Sequence, residues 1–133
     1  MRPRLTQSAM NQELITQIEE VGQSCSTPGW DGYGAEPVMP ATARQAHAFA
    51  GTFPPDLPAP AVGAEPDGHI TFEWYRAPEQ ILSVSVDATG ALYYAALLGT
   101  EKTHGTELFR GRMPNVLVDL ISRVVGSESD ARK

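Results

Sequence analysis

The segment HITFEWYRAPEQILSVSVDATGALYYAALLG, residues 69–99, decides the fold because most of its apolar side chains recur at every second position. Such alternation is typical of strands that have one buried and one exposed face. In its first run, Ile70 and Trp74 share one face, while Glu73 and Tyr75 lie on the other. Short turns separate the runs, so the sequence predicts antiparallel neighbours in a meander.

The runs that follow continue this alternation. ILSVSVD places Val84 with the inward-facing side chains, and ALYYAALLG places Tyr94 with them and Tyr93 on the outer face. A short edge strand is predicted around residues 61–65, because flanking prolines are tolerated at a sheet edge. A last short strand is predicted over residues 106–109. The predicted sheet therefore has three to five strands.

Helical spacing occurs on both sides of these strands. SAMNQELITQIEEVGQSC carries apolar residues three and four apart, which predicts a helix with Ser8 or Thr6 as its N-cap. PATARQAHAFAGTF predicts a second helix, with Pro40 in its first turn or Thr42 as its cap. MPNVLVDLISRVV predicts a third helix at the C-terminal end. Helices grouped outside a run of hairpin strands indicate an α+β fold with all helices on one sheet face.

Length and composition predict one globular domain. The chain has 133 residues, of which 41% are hydrophobic and 20% are charged, and we expect an ordered core over about residues 8–125 with short basic tails. The single cysteine, Cys25, cannot form an internal disulfide, and we expect it to be a small buried side chain. No apolar run approaches the roughly 20 residues of a membrane span. The N-terminus also lacks the apolar stretch of a secretory signal, so we expect a cytoplasmic protein.

Charge points to a protein partner and away from nucleic acid. The formal net charge is −6, and four of the ten basic residues lie in the tails, which leaves six against sixteen acids, or −10, over residues 5–131. A body with this charge repels phosphates, although Arg110 and Arg112 could form a local basic patch. An acidic surface suits a basic protein partner, or it serves solubility alone. A homodimer is also compatible with the sequence.

The loop GWDGYGA, residues 29–35, interleaves two aromatic residues with three glycines and an acid. Glycines permit positive φ angles, and a loop built from them can hold side chains in fixed directions. One interpretation is structural: Trp30 plugs the open end of the core, and Asp31 caps a turn. The other is a recognition loop that presents Tyr33, since tryptophan and tyrosine are favoured interface anchors.

Patterns of known catalytic and cofactor sites do not occur in the sequence. There is no nucleophile elbow, phosphate-binding glycine loop or HExxH metal motif, and Asp31 with Glu36 lacks the spacing of a calcium loop. The histidines are expected at the surface. His104 has the strongest case for chemistry, because it lies near Glu101, Lys102 and Glu107 in a predicted loop, where they could form an acid–base cluster. We expect no metal and no cofactor.

Several motifs resemble a family of small uncharacterised bacterial proteins. GWDGYGAEPV, a proline-rich spacer, PDGHITFEW, ILSVSVDATGALYYAALLG and MPNVLVDLI follow the family pattern of GWDGYGA-P, DG-I-LEW and YA-L-G over roughly residues 15–124. Phe72 departs from the aliphatic residue usual at its position. The family is associated with bacterial and phage accessory genes, and the resemblance therefore implies a toxin–antitoxin or defence-related setting. It implies no catalytic residues.

These observations predict a non-enzymatic interaction protein, of the antitoxin, immunity or inhibitor type. The expected partner contacts combine the loop with the outer sheet face: Trp30, Asp31, Tyr33, Glu73, Tyr75 and Tyr93. The alternative is a small enzyme or ligand-binding domain with a pocket between the GWDGYGA loop and the strand that carries Glu73 and Trp74. In that case Glu73 would be the general base, and a cleft of at least about 300 Å³ should hold Asp31 or Glu73.

Overall fold

The computed structural model describes residues 2–126, with side chains described from residue 12 onward. These residues form an α+β fold, as predicted, with two N-terminal helices, a five-stranded antiparallel sheet and one C-terminal helix. In chain order the elements are α1 (Arg2–Ser24), α2 (Pro40–Ala50), β1 (Ala61–Ala64), β2 (Ile70–Ala77), β3 (Gln80–Val86), β4 (Ala91–Leu98), β5 (Glu101–Leu108) and α3 (Asn115–Val125). Arg132 and Lys133, two residues of the predicted basic tails, lie outside the described residues.

The sheet is a meander in which every strand pairs antiparallel with its sequence neighbour, in the order β1-β2-β3-β4-β5. Phe72 of β2 lies opposite Val84 of β3, and Val84 lies opposite Tyr94 of β4. Residues directly opposite each other point to the same side of a sheet. The inward set predicted for the central strands is therefore confirmed.

The core lies between this sheet face and the three helices. Trp74 is only 2% exposed, and its indole nitrogen donates a hydrogen bond to the carbonyl oxygen of Pro58 at 2.9 Å. Phe49 of α2 packs edge-on against Phe53, Phe72 and Phe109 at centroid distances of 5.0–5.7 Å. Helix α3 contributes four buried side chains: Leu117, Leu120, Ile121 and Val124. Burial of one face by all three helices leaves the opposite face of the sheet open.

The predicted helix starts are corrected at two positions. Helix α1 begins at Arg2, so Ser8 and Thr6 lie inside the helix and neither is its N-cap. Helix α2 has Pro40 in its first turn, as predicted, and its N-cap position is occupied by Met39. Thr42 is buried within that helix and is not its cap. Local capping signals gave the wrong start for α1, where serine and threonine compete, whereas Pro40 marked the start of α2 correctly.

Strand β5 is longer than predicted. The sequence predicts a strand only over residues 106–109, yet β5 runs from Glu101 to Leu108 and pairs along its whole length with β4. The proposed acid–base cluster around His104 is therefore wrong, because a strand sends alternate side chains to opposite faces. Lys102 and His104 lie on the open face, and Glu107 lies on the other. Polar residues hid this strand, since neither of its faces is apolar in the sequence.

Within residues 2–126, no helix combines the length and the apolar character that a membrane crossing requires.

Candidate functional site

The GWDGYGA loop closes on itself through hydrogen bonds. The amide of Gly29 donates to the carbonyl oxygen of Ala35 at 2.7 Å. The Asp31 carboxylate accepts hydrogen bonds from the backbone amides of Tyr33, at 2.8 Å, and Ala35, at 3.1 Å. Three glycines in the loop have φ angles of 73°, 82° and 87°, a conformation that other residues rarely adopt. Asp31 is thus the turn cap that the sequence predicts.

The two aromatic side chains of this loop have different environments. Trp30 is half-buried, and its indole nitrogen donates a hydrogen bond to the carbonyl oxygen of Glu36 at 2.7 Å. It lies outside the buried core, whose tryptophan is Trp74, so the interpretation of Trp30 as a core plug is wrong. Tyr33 is 93% exposed. The loop therefore uses its tryptophan and aspartate for its own structure and presents its tyrosine to solvent.

The loop is fixed to the turn between β1 and β2. The amide of Glu36 donates a hydrogen bond to the carbonyl oxygen of Pro66 at 2.8 Å. Gly68 lies so close to the loop that a Cβ atom on it would be 2.8 Å from the carbonyl oxygen of Pro37. Gly68 also has a φ angle of 87°, so glycine is required here for two reasons. These contacts place the GWDGYGA loop at the end of the sheet where β2 begins.

A second set of side chains meets at this end of the sheet. The imidazole of His69 stacks on the ring of Tyr93, with centroids 5.3 Å apart and planes inclined by 13°. The hydroxyl group of Tyr93 donates a hydrogen bond to Asp87 at 3.0 Å. Asp67 lies 3.3 Å from the Nδ1 atom of His69. The β1–β2 turn, the end of β3 and strand β4 therefore converge beside the loop.

Hydrogen bonding shifts two pKa values in this group. Burial acts to raise the pKa of the Asp87 carboxyl, but hydrogen bonds from Thr89, Tyr93 and the backbone amide of Ala91 outweigh it and leave the pKa below its usual value. The hydrogen bond to Asp87 raises the pKa of Tyr93, and the negative charges of Asp87 and Asp67 raise it further. The tyrosine is thus held in its neutral, donating form.

We call this region the acidic-aromatic end. It comprises six residues that the loop, the β1–β2 turn, the end of β3 and strand β4 bring together: Tyr33, Glu36, Glu65, Asp67, Asp87 and Tyr93. In the part of the chain with described side chains, the ion pairs are His69 with Asp67 and Arg123 with Glu101 and Asp119. The carboxylates of this end thus have no lysine or arginine partner among those side chains. Carboxylates without a described lysine or arginine partner therefore lie at the same end of the sheet as two exposed tyrosines.

The open sheet face extends from this end. Along β2, Thr71 shares a hydrogen bond with Ser85 at 3.2 Å, Glu73 is half-buried, and Tyr75 is 61% exposed. Small residues occupy much of this face, with Ser83 and Ala95 on the central strands and Ala61 and Gly63 on the edge strand β1. The face is therefore shallow, with tyrosines toward both ends.

The site residues predicted from the sequence fall into three groups. Tyr33 and Tyr93 lie at the acidic-aromatic end, where Asp31 and Trp30 support the loop from within. Glu73 lies four residues after His69 and on the same face of the sheet. At a rise of about 3.3 Å per residue, the two residues are about 13 Å apart. Tyr75 lies two residues beyond Glu73 in the same strand. The predicted residues thus share one side of the molecule but do not form one compact cluster.

Sequence reasoning missed the carboxylates and the imidazole of this end. Glu65, Asp67 and His69 alternate in the segment EPDGH, and Asp87 ends the alternating run ILSVSVD, but none of them is among the predicted site residues. The signal that could have identified them is the alternation itself, because residues two apart in a tight hairpin can point to the same face.

Four surface grooves among the described residues have volumes of about 330–660 Å³. None of these four is lined by Asp31 or Glu73. One of about 610 Å³ lies beside Arg110 and Arg112 at the start of α3. The pocket that the enzyme interpretation requires, between the GWDGYGA loop and Glu73, is thus not among them.

Comparison with protein-family models, with curated proteins and with solved structures finds no match to this chain.

Proposed function

We propose that this protein is a non-enzymatic protein-binding module that docks a basic partner protein on its acidic-aromatic end. The observation that carries the proposal is the 93% exposure of Tyr33 on a loop fixed by its own hydrogen bonds and by the β1–β2 turn. Because the backbone of this loop is already fixed, it loses little conformational entropy when a partner covers the tyrosine. Tyrosine is also among the residues that most often dominate binding energy.

The charge of the surface supports a basic partner. Glu36, Glu65, Asp67 and Asp87 lie at the same end of the sheet as the two tyrosines, and none of them is paired with a described lysine or arginine. Complementary charge steers association and favours partners of opposite sign. A lysine- or arginine-rich segment would find carboxylate acceptors beside aromatic faces, and arginine binds both kinds of group.

The open sheet face provides the remainder of the contact area. Specific interfaces bury about 800 Å² on each partner, which exceeds what one loop and one turn offer. The outer positions of β2, including Glu73 and Tyr75, extend the surface in the same direction. Tyr33, Tyr93 and Tyr75 would then be the aromatic anchors, with the small residues between them allowing close approach.

The biological setting that we propose is an antitoxin, immunity or inhibitor role in a bacterial or phage conflict system. This part rests on the resemblance of GWDGYGAEPV and PDGHITFEW to the accessory-gene family. An acidic inhibitor that covers a basic active or binding surface needs no catalytic machinery of its own. We also propose a cytoplasmic location, because an inhibitor of this kind meets its partner inside the cell that makes both.

Site-specific photo-crosslinking in the source cell tests the proposal. A photoreactive phenylalanine analogue is placed at Tyr33 or Tyr93, and at Val118 of α3 as a matched control on the helical side. We expect one basic protein to be captured from both tyrosine positions and not from position 118. Capture that is equal from all three positions, or no capture at any of them, would contradict the assigned surface.

A further inference from the structure

The turn between β1 and β2 holds three side chains with the donor atoms of a metal site. One ligand atom each from Glu65, Asp67 and His69 lies within 4.8 Å of the other two. We propose that this cluster binds one divalent transition-metal ion of the zinc class. The proposal rests on these three residues and does not depend on the proposed protein partner.

The hairpin explains why the three side chains meet. The amide of Glu65 donates to the carbonyl oxygen of His69 at 2.9 Å, which makes the two residues a directly opposed pair at the end of the hairpin. By the register of β1 and β2, both point to the open sheet face. Asp67 lies at the tip of the turn, and its carboxylate accepts a hydrogen bond from the amide of His69 at 3.0 Å. The turn thus folds Asp67 back toward the other two ligands.

The donor set identifies the class of ion. An imidazole nitrogen with two carboxylate oxygens suits zinc and neighbouring transition metals, whereas magnesium and calcium prefer oxygen alone. At bond lengths of about 2.0 Å and tetrahedral angles, zinc ligand atoms lie about 3.3 Å apart. The Nδ1 atom of His69 and the Oδ2 atom of Asp67 are 3.3 Å apart. The imidazole distinguishes this cluster from a group of surface carboxylates.

Contacts from outside the cluster hold two of the ligands in place. Ser85, which is only 7% exposed, donates a hydrogen bond from its hydroxyl to Glu65 at 2.9 Å. Tyr93 stacks on the imidazole of His69 and fixes the plane of that ring. Supporting contacts of this kind orient metal ligands and raise affinity. His69 and Asp67 remain partly exposed, so an ion can reach them and water can complete its coordination.

Calorimetric titration of the full chain with zinc chloride tests the site, with magnesium chloride as the comparison ion. We expect one zinc ion per chain and no detectable magnesium binding at the same concentration. His69→Ala and Asp67→Asn should each weaken zinc binding by more than tenfold, because loss of a mere supporting contact already costs about tenfold. Cobalt should give visible d–d absorption that these substitutions abolish.

Control variants separate this site from adventitious binding. His47→Ala and Cys25→Ser remove other metal-binding side chains outside the turn and should leave zinc affinity unchanged. Glu65→Gln keeps a hydrogen-bond acceptor for Ser85 while removing a charged ligand, and it should weaken binding if thermal melts without metal show an intact fold. Zinc affinity that is equal in His69→Ala and in the unmodified chain, or no uptake of zinc, would overturn the proposal.

Discussion

The imidazole of His69, in the β1–β2 turn, stacks nearly parallel to the ring of Tyr93 in strand β4, with ring centroids 5.3 Å apart. Between them in the sheet lies Asp87, which accepts the hydroxyl hydrogen bond of Tyr93. One short set of contacts therefore ties three separate segments to the end of the sheet that carries the GWDGYGA loop. The geometry of this end is built from polar and aromatic contacts, and it should respond to pH.

The first prediction concerns acid. The pKa of Asp87 is lower in the folded chain than its usual value, so its charged form stabilises the fold above about pH 4. That contribution is lost as the pH falls through the lowered pKa. Thermal melts across this range should show a smaller loss of stability for Asp87→Asn than for the unmodified chain. Identical acid dependence of the two proteins would contradict the assignment.

The second prediction concerns alkali. The pKa of Tyr93 is raised, so its neutral form stabilises the fold below about pH 10, and the contribution is lost as the pH rises through the raised value. Tyr93→Phe should remove this alkaline loss. Tyrosinate absorbance during a pH titration should also lose its highest-pH component in that variant. Tyr75→Phe is the matched control and should retain the component.

The two tryptophans should differ in their contribution to stability. Trp74 is a fully packed core residue, and Trp74→Ala should lower the free energy of unfolding by about 3–5 kcal/mol. Trp30→Phe removes one hydrogen bond to the backbone of Glu36 and should cost about 0.5–1.5 kcal/mol. Chemical denaturation of both variants measures the difference. Near-normal stability of Trp74→Ala would contradict the register of β2.

The loop glycines should resist substitution because of their backbone angles. Gly34 has a φ angle of 87° with open space around it, so Gly34→Ala tests conformation without a steric clash. A left-handed conformation costs other residues about 1–2 kcal/mol, and we expect a loss of that size or a rearranged loop. Gly63 also has open space but no positive φ, and Gly63→Ala should not show this loss. Equal stability effects at both positions would count against a rigid loop.

Much of the fold was predictable because one physical pattern dominates it. Alternation over residues 69–99 determined which side chains of β2, β3 and β4 are buried, and helical spacing identified all three helices. Strand β5 was underestimated because Lys102, His104 and Glu107 leave both of its faces polar. The predicted start of α1 was wrong because Thr6 and Ser8 both resemble N-caps, whereas the helix continues through both of them to Arg2.

The candidate site was predictable only in part. The glycines and aromatics of GWDGYGA left a structural and a recognition loop open, with Tyr33 as the residue presented in the second case, and Tyr33 is the exposed aromatic of the loop. The role of Trp30 could not be deduced, since a tryptophan in a loop can equally fill a core or donate to a nearby carbonyl. The stacking of His69 on Tyr93 depends on the combined register of β2, β3 and β4. Spacing along the chain does not contain that information.

The rigidity of the loop and its exposed tyrosine lead to the most direct test. Tyr33→Ala should leave folding nearly intact, within about ±0.5 kcal/mol, because the side chain is almost fully exposed. If Tyr33 anchors a partner, the same substitution should weaken binding to the crosslinked protein by about 2 kcal/mol or more. Met39→Ala is the matched control, since Met39 is an exposed hydrophobic side chain away from the proposed surface.

The deciding measurement is a thermal melt paired with a binding titration on Tyr33→Ala and Met39→Ala. The proposed function predicts that both variants melt like the unmodified chain and that only Tyr33→Ala loses affinity, by about 2 kcal/mol or more. Unchanged partner affinity in a fully folded Tyr33→Ala protein would contradict the central claim that this loop presents a binding anchor.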